Sequence, residues 1–416
     1  MTLCHAEPVS SNTSLIEQSM SVIQKTYVDA IPRHTLEQGA VEGMLAQTDP
    51  HSSYLPPNLA RQKSQKLDGQ MSGIGAEIAI NNGFLTVIAP LDGSPAARSG
   101  LRPGDRIVRV NGIKVDMFPM LSKAMQAISG PSGSSVSLTI ERKGHAKPLV
   151  FDIRRRTVSV PSVQWSKIGP MGYIRIASFT RNTGDLMKKA LIELKQKKGP
   201  FYGYVIDLRN NPGGLVQQAL NCCDYFIHKG PIAFTKGRTG GYHAVRHAVP
   251  NNTLVQKTPC LVLINQGSAS ASELMAGALQ DYKAARILGT QSFGKGTVQD
   301  MVPLTNPDKN GHIKLTIARF YTPLKHPIQG HGITPDIHIG QLQGEWYFNR
   351  QTPAIRESDL PGSLAPEKKM ATTPTDADDL LLGALNKDYQ LISAMNLLKL
   401  MWLEKNDIIA QKNTRN

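Results

Sequence analysis

Between residues 13 and 31, Ile16, Met20, Ile23, Tyr27 and Ile31 recur at spacings of four, three, four and four. That period predicts one apolar face of a helix, ended by Pro32. A second helix is expected from Thr35, where Gln38 completes a capping box, to about Gln47, before the loop "DPHSSYLPP". From Gly73 to about Ile153 the period shortens to two. "GFLTVIAPL" reads as a strand entered from an Asn82-Gly83 turn, and "DRIVRVNG" as a strand closing on the hairpin signal Asn111-Gly112. "SVSLTIER" is a further alternating strand, and "MLSKAMQAIS" a helix. One helix among several short strands predicts a small, partly open barrel.

From about Ser162 to Gly340, strands ("GYIRIASF", "GYVIDLR", "PCLVLIN", "ARILGT") alternate with helices ("GDLMKKALIELKQKKG", "LVQQALNCCDYF", "ASELMAGALQDYK"). Such alternation predicts a mainly parallel sheet covered by helices, an α/β core within a chain that is α+β overall. Residues 342–378 are polar and Pro-rich and are expected to lack fixed order. The closing stretch "DLLLGALNKDYQLISAMNLLKLMWLEK" predicts a dense apolar helix, packed on the core or on a second subunit. The chain then divides into a leader or disordered segment (1–12), a helical region (13–70), a barrel-like domain (71–156), an α/β core (157–340), a polar linker (341–378) and a helical end (379–416).

At 416 residues, with 40% hydrophobic and 19% charged positions, the chain fits two or three folded domains. Lys and Arg outnumber Asp and Glu by 47 to 32, but they are scattered, with only short clusters such as Arg154-Arg155-Arg156, so nucleic acid is not indicated as a partner. The four cysteines form no CxxC or Cys/His pattern for zinc; Cys222 and Cys223 are adjacent. His243 and His247 are four apart, but Ala244 stands where a zinc-peptidase helix needs Glu, so no metal and no cofactor are expected. No apolar run approaches the ~20 residues of a membrane span. The start "MTLCHAEPVSS" has neither a basic nor an apolar leader region, though "CHA" places small residues before Glu7 as a cleavage site would.

The stretch "LVLINQGSASASELMAGAL" sets Ser268, Ser270 and Ser272 in alternation before a helix. Ser270-Ala271-Ser272-Glu273 also fits a capping box, which would make it a helix start and nothing more. The signature G-x-S-x-G is absent, which weakens a Ser-His-Asp triad. Lysine can serve a serine as base instead, if burial keeps its amine neutral. "SFGKGTVQ" offers Lys295 between two glycines with no carboxylate until Asp300, and Lys295, Thr297 and Gln299 would face one side of a strand. Gln299 could then orient the amine without charging it. "VIDLRNNPGGLVQQAL" ends a strand in a sharp turn and opens a helix, an arrangement that aims N–H groups at an anion, though a plain connection reads the same way. "GTQSFGKG" approaches a phosphate loop, but Gly296 replaces its last Ser or Thr and a strand follows; "GIGAEI" lacks the third glycine of a dinucleotide loop.

Taken together, "DLRNNPGGL", "NQGSASASELMAGALQDYKAARILGTQSFGKGTVQ" and "GITPDI" resemble the carboxy-terminal processing peptidases, or tail-specific proteases. "GIGAEI…SPAARSGLRPGDRIVRVNG" resembles the PDZ domain those enzymes carry, and "GMLAQTDPHSSYL" their N-terminal segment. The resemblance covers about residues 15–340. It implies a serine endopeptidase cleaving proteins near their C-terminus, with Ser270 as nucleophile and Lys295, 25 residues later, as general base. It further implies Gln299 as partner of the lysine, Gly213, Gly214 and Ala271 as the oxyanion hole, and Glu273 and Ser292 as supporting residues. In the PDZ segment, Gly73, Ile74, Gly75, Ala76, Glu77 and Ile78 are the candidate cradle for a substrate's terminal carboxylate. Implied partners are proteins with exposed apolar C-terminal tails, an adaptor protein, and a second copy of the chain joined through the terminal helices 13–31 and 379–404. A periplasmic or cell-envelope setting is implied, although the leader falls short of a full export signal. Ser129 stands where relatives often carry Arg, which puts a coupling role of that position in doubt here. The competing readings are a PDZ scaffold on a silent peptidase core and a peptidase that depends on an adaptor.

Overall fold

The computed structural model describes residues 14–67, 70–81, 84–91, 93–117, 121–159, 161–238, 240–340, 356–360, 362–364 and 388–413. It divides into two compact units, one of residues 1–60 with 299–316 and one of residues 61–298 with 317–416. The predicted leader 1–12, the Asn82-Gly83 turn, Cys4 and residues 379–387 lie outside the described residues.

In the first unit, the opening helix spans Leu15–Thr26, with Ser14 accepting the N–H of Glu17. It stops short of Pro32 because Tyr27 turns extended, which leaves Tyr27 and Val28 exposed. The next helix, Arg33–Leu45, starts directly after Pro32 and not at a Thr35–Gln38 box. Proline's fixed φ already suits a helix entry, so no side-chain cap is needed. Within the expected loop "DPHSSYLPP", Ser53–Leu55 forms a short strand antiparallel to the first part of His312–Tyr321. Only a partner strand 257 residues or more away makes it one, and local sequence carries no trace of that.

The second unit contains two cores. Around the first, strands Ala76–Asn81, Phe84–Pro90, Arg106–Val110, Ser135–Glu141 and Leu149–Arg154 form an antiparallel sheet in chain order, open at both ends. Leu85, Val87, Ile107, Leu138 and Ile140 fill it, with helix Leu121–Ile128 contributing Ala124 and Ile128. The hairpin at Asn111-Gly112 is present, both residues at positive φ as a tight two-residue turn requires.

The second core is a six-stranded sheet in the order Val163–Ile168, Met171–Ile176, Gly203–Asp207, Cys260–Ile264, Arg286–Gly289, Ile337–His338. Its first pair is antiparallel and the rest parallel. Alternation sorts its side chains to two faces. Cys260, Val262 and Ile264 meet the helices Thr183–Gln196, Val216–Asp224 and Ala271–Asp281, while Leu261 and Leu263 meet the final helix Tyr389–Asn413. That last helix buries Ala394 and Leu398 against its own sheet and stacks Trp402 on Tyr202. Its inner face is therefore covered within one chain, whereas Leu400 and Leu403 stay exposed.

One further expectation changes, and one reading of ordinary residues stands. Arg356–Leu364, inside the segment expected to lack order, is packed into the core: Glu357 and Leu360 are buried. His243 and His247 sit on an exposed strand, His243–His247, as ordinary surface residues.

Candidate active site

Three of the parallel strands, Gly203–Asp207, Cys260–Ile264 and Arg286–Gly289, run at their C-terminal ends into the loops of this site. The strand Cys260–Ile264 passes through residues 265–270 into the helix Ala271–Asp281, and Ser270 stands at the turn with φ 57° and ψ −114°. A non-glycine residue held there costs on the order of 1–3 kcal/mol and needs a surrounding structure that fixes it. The flanking serines are part of that structure. Ser268 donates to Leu208 O (2.8 Å) and accepts Asn265 N–H; Ser272 donates to Asn211 O (2.9 Å). Both are fully buried. Of the three alternating serines, two lash the loop to residues 208–211, and Ser270 stands between them at the strained start of the helix.

The other wall is the turn between the strand Gly203–Asp207 and the helix Val216–Asp224. Gly213 and Gly214 have φ of 99° and 137°. A Cβ on Gly213 would lie 3.0 Å from both Ser270 Cβ and Ala271 N, so only glycine lets the turn approach the serine so closely. Gly213 N–H is taken by Asn211 Oδ1 (2.9 Å), whereas no acceptor among the described residues engages the N–H of Gly214 or Ala271. Asn211, fully buried, also anchors the turn through Ile176 O and accepts Ala269 N–H on its carbonyl. Behind it, Arg209 bridges Asp207 and Asp388, the latter at the start of the final helix. Burial alone would raise the Asp207 carboxyl, but Arg175 and Arg209 outweigh it and hold it below its usual range.

Lys295, half-buried, lies in an extended loop just before the strand Thr297–Pro303, not on the strand itself. The same strand disposes of the phosphate-loop reading, which needs a helix there. A carboxylate from the helix after the serine meets the backbone of the lysine loop. Glu273, fully buried, accepts Ser270 N–H (2.8 Å), Lys295 N–H (2.8 Å), Gly294 N–H (2.6 Å) and the Ser292 hydroxyl (2.6 Å). The capping box was half the story: the carboxylate caps the serine's helix and, with its remaining valence, grips the lysine's loop. Burial pushes its pKa up to about 7, against the pull of those four hydrogen bonds. Ser292 in turn accepts Ile333 N–H at 2.6 Å.

Gln299 belongs to the first unit. Its amide donates to Thr316 Oγ1 (3.1 Å), and that hydroxyl donates to Asp49 Oδ1 (3.1 Å). Asp49 also receives His51 N–H, Ser52 N–H and the Ser52 hydroxyl. The acidic residue of "DPHSSYL" therefore sets the placement of Gln299 through one threonine. Sequence reading singled out that motif only for its resemblance and assigned Asp49 no role.

In the barrel-like domain, the candidate cradle is a real bend. Gly73 and Gly75 have φ of 141° and 76°, and Ile74 is buried. The carbonyls of Ile74 and Gly75 accept Ala96 N–H and Leu91 N–H, which turns them inward. Ala76, Glu77 and Ile78 begin the strand Ala76–Asn81, an edge of its sheet. Such an edge is open to an added strand.

Comparison with known proteins agrees with this architecture. Residues 170–339 match peptidase family S41, residues 86–142 a PDZ domain, and residues 5–58 the N-terminal domain of the activating protease CtpB. The chain is 38% identical to the carboxy-terminal-processing protease of Bartonella bacilliformis over 379 residues, 89% of this chain and 86% of that one. It is 37% identical to carboxy-terminal processing protease CtpB of Bacillus subtilis over 353 residues, 82% of this chain and 70% of that one. The solved photosystem II D1 C-terminal processing protease superposes with a TM-score of 0.66 at 28% identity, covering 80% of this chain and 94% of that one. With a strained serine between two glycines and a lysine loop, on a core of this topology beside a PDZ domain, the chain belongs to the carboxy-terminal processing peptidases, serine peptidases of family S41.

Proposed function

We propose that the protein is an endopeptidase that cleaves proteins near their C-terminus with a Ser270–Lys295 dyad. The observation that carries this is the grip of one buried carboxylate, Glu273, on the backbones of both residues. The Lys295 amine takes the proton of the Ser270 hydroxyl as Oγ attacks the scissile carbonyl carbon. The oxygen of the tetrahedral intermediate is stabilised by the N–H groups of Ala271 and Gly214, with Gly213 serving as the side-chain-free spacer. Collapse breaks the C–N bond, and the protonated Lys295 returns its proton to the leaving amine. Water, deprotonated by the same lysine, then releases the acyl group. Ser270→Ala and Lys295→Ala are expected to abolish turnover of an unfolded protein bearing an apolar tail, with folding intact. Substantial activity in Ser270→Ala would overturn the assignment.

Substrates are chosen by the PDZ domain, whose edge strand Ala76–Asn81 takes the tail as an added strand while the N–H groups of the 73–76 bend hold its carboxylate. The bend and open edge support this. Amidating the tail is expected to weaken binding; equal cleavage of acid and amide forms would remove the domain from substrate choice. The exposed apolar residues of Leu15–Thr26 support a homodimer through the N-terminal region, testable by light scattering of the full chain. A bacterial cell-envelope setting completes the reading; no described helix is long and apolar enough to cross a membrane.

A further inference from the structure

Residues 356–364 follow the portion of the chain that matches the peptidase family, yet they end up against the lysine loop. Two of their contacts flank Lys295. Glu357 N–H donates to Phe293 O (3.0 Å), two residues before the lysine. The Glu357 carboxylate receives Gln329 Nε2 (3.0 Å), and Gln329 Oε1 receives Gly296 N–H (2.9 Å), one residue after it. Gln329 and Glu357 are both buried, so these bonds are shielded from water. Ser363 Oγ and Leu364 O take further hydrogen bonds from the same Gln329 amide, closing the strap on itself. Its apolar anchor is Leu360, 3% exposed, in a cluster with Phe293, with Ala269 next to the serine, and with Ile88 of the PDZ strand.

The loop needs such support. Residues 291–296 have no regular secondary structure, and Gly294 and Gly296 bracket the lysine. Glu273 fixes the loop from the serine's side, but nothing in that contact stops it from moving away from the sheet. A Cβ on Gly296 would lie 2.2 Å from Gln329 N, so the loop is pressed directly on the residue that the strap holds.

We infer that residues 356–360 and 362–364 form a positioning strap for the general base, with Glu357 acting through Gln329 and Leu360 wedging the lysine loop against the serine loop. This rests on the dyad reading, and it means that the active centre is incomplete without a segment beyond residue 340. The strap touches no substrate; it acts on where the Lys295 amine stands. Because an amine misplaced by about 1 Å costs catalysis roughly a hundredfold, the expected signature is in kcat.

The test uses full-length protein and an unfolded substrate with a free apolar tail. Glu357→Ala is expected to lower kcat roughly 10- to 100-fold with KM nearly unchanged. Glu357→Gln keeps an acceptor oxygen for Gln329 and is expected to restore most of the activity. Leu360→Ala is expected to lower kcat as well and to speed amide hydrogen exchange at residues 293–296, and it decides the matter if Glu357→Ala does not fold. Wild-type kcat in both alanine variants, or a loss that Glu357→Gln fails to restore, would overturn the strap. Lys295→Ala runs in parallel. If it stays active, the dyad reading falls and the strap with it; if it is inactive while the strap variants are normal, the strap alone falls.

Discussion

Two carboxylates, Glu273 and Asp49, do the same job in the two units and are tuned in opposite directions. Each collects four hydrogen bonds, Glu273 from around Ser270 and Lys295, Asp49 from His51, Ser52 and Thr316 beside Gln299. For both, burial is the largest influence and raises the pKa. At Asp49 the bonds from Ser52, His51 and Thr316, helped by the charge of His51, outweigh it, so the carboxyl is held below its usual range. At Glu273 burial is complete and wins, carrying the group to about 7. The lesson is that equal numbers of donors do not fix a charge; the depth from which water is excluded does. Asp49, held below the usual carboxylate range, is an anion at neutral pH and holds a threonine. Glu273 is a group whose charge near neutrality follows the pH.

The largest difference is expected in activity. Glu273→Ala removes the side chain that holds both the Ser270 and Lys295 backbones, and kcat should fall by more than about a hundredfold. Asp49→Ala frees His51, Ser52 and Thr316, and through Thr316 it loosens Gln299, which should cost roughly tenfold. Steady-state kinetics of the two variants on one substrate make the comparison. An Asp49 variant as impaired as the Glu273 variant would mean that Gln299 placement matters as much as the dyad itself.

Below that comes a test of the lysine. Lys295→Arg keeps the positive charge and the Glu273 bond to its backbone, but arginine stays protonated and cannot act as base. It should be as inactive as Lys295→Ala in the same assay, and turnover near the wild-type level in Lys295→Arg would count against a lysine base.

Much of this was legible in the sequence. Period-two alternation placed the strands of the first core, the succession of apolar strands and helices placed those of the second, and the Asn111-Gly112 turn announced its hairpin. What stayed hidden were contacts between distant segments. Glu273 looked like a helix cap because its sequence neighbours suffice for that reading; its bonds to Gly294 and Lys295 depend on a loop folding back. Ser53–Leu55 is a strand only because His312–Tyr321 lies beside it. Residues 356–364 sit in a polar, Pro-rich stretch, and composition cannot reveal that Glu357, Leu360 and Ser363 fit ready-made sites on the core. The final helix, read as a surface for the core or for a second subunit, buries Leu398 against its own sheet.

The smallest effects lie in stability against pH, where the two carboxylates should have opposite signs. Glu273 is raised from 4.5 in an unfolded chain to about 7 in the folded one, so folding favours its protonated form. Its contribution is intact below about pH 4.5 and is lost as pH rises through 7, a change of about 3 kcal/mol. Asp49 is lowered, so its contribution is present above the usual carboxylate value and fades as pH falls through the lowered one. Urea unfolding of full-length Ser270→Ala, which removes self-digestion, measures both limbs between acidic and mildly alkaline pH. Adding Glu273→Gln should flatten the fall between pH 5 and 8, roughly the window set by its shift, and leave the acid limb alone. Adding Asp49→Asn should blunt the acid limb and leave the neutral one. If the Glu273 variant keeps the neutral slope, the proton taken up on folding belongs to another group, and the contrast between the two carboxylates does not hold.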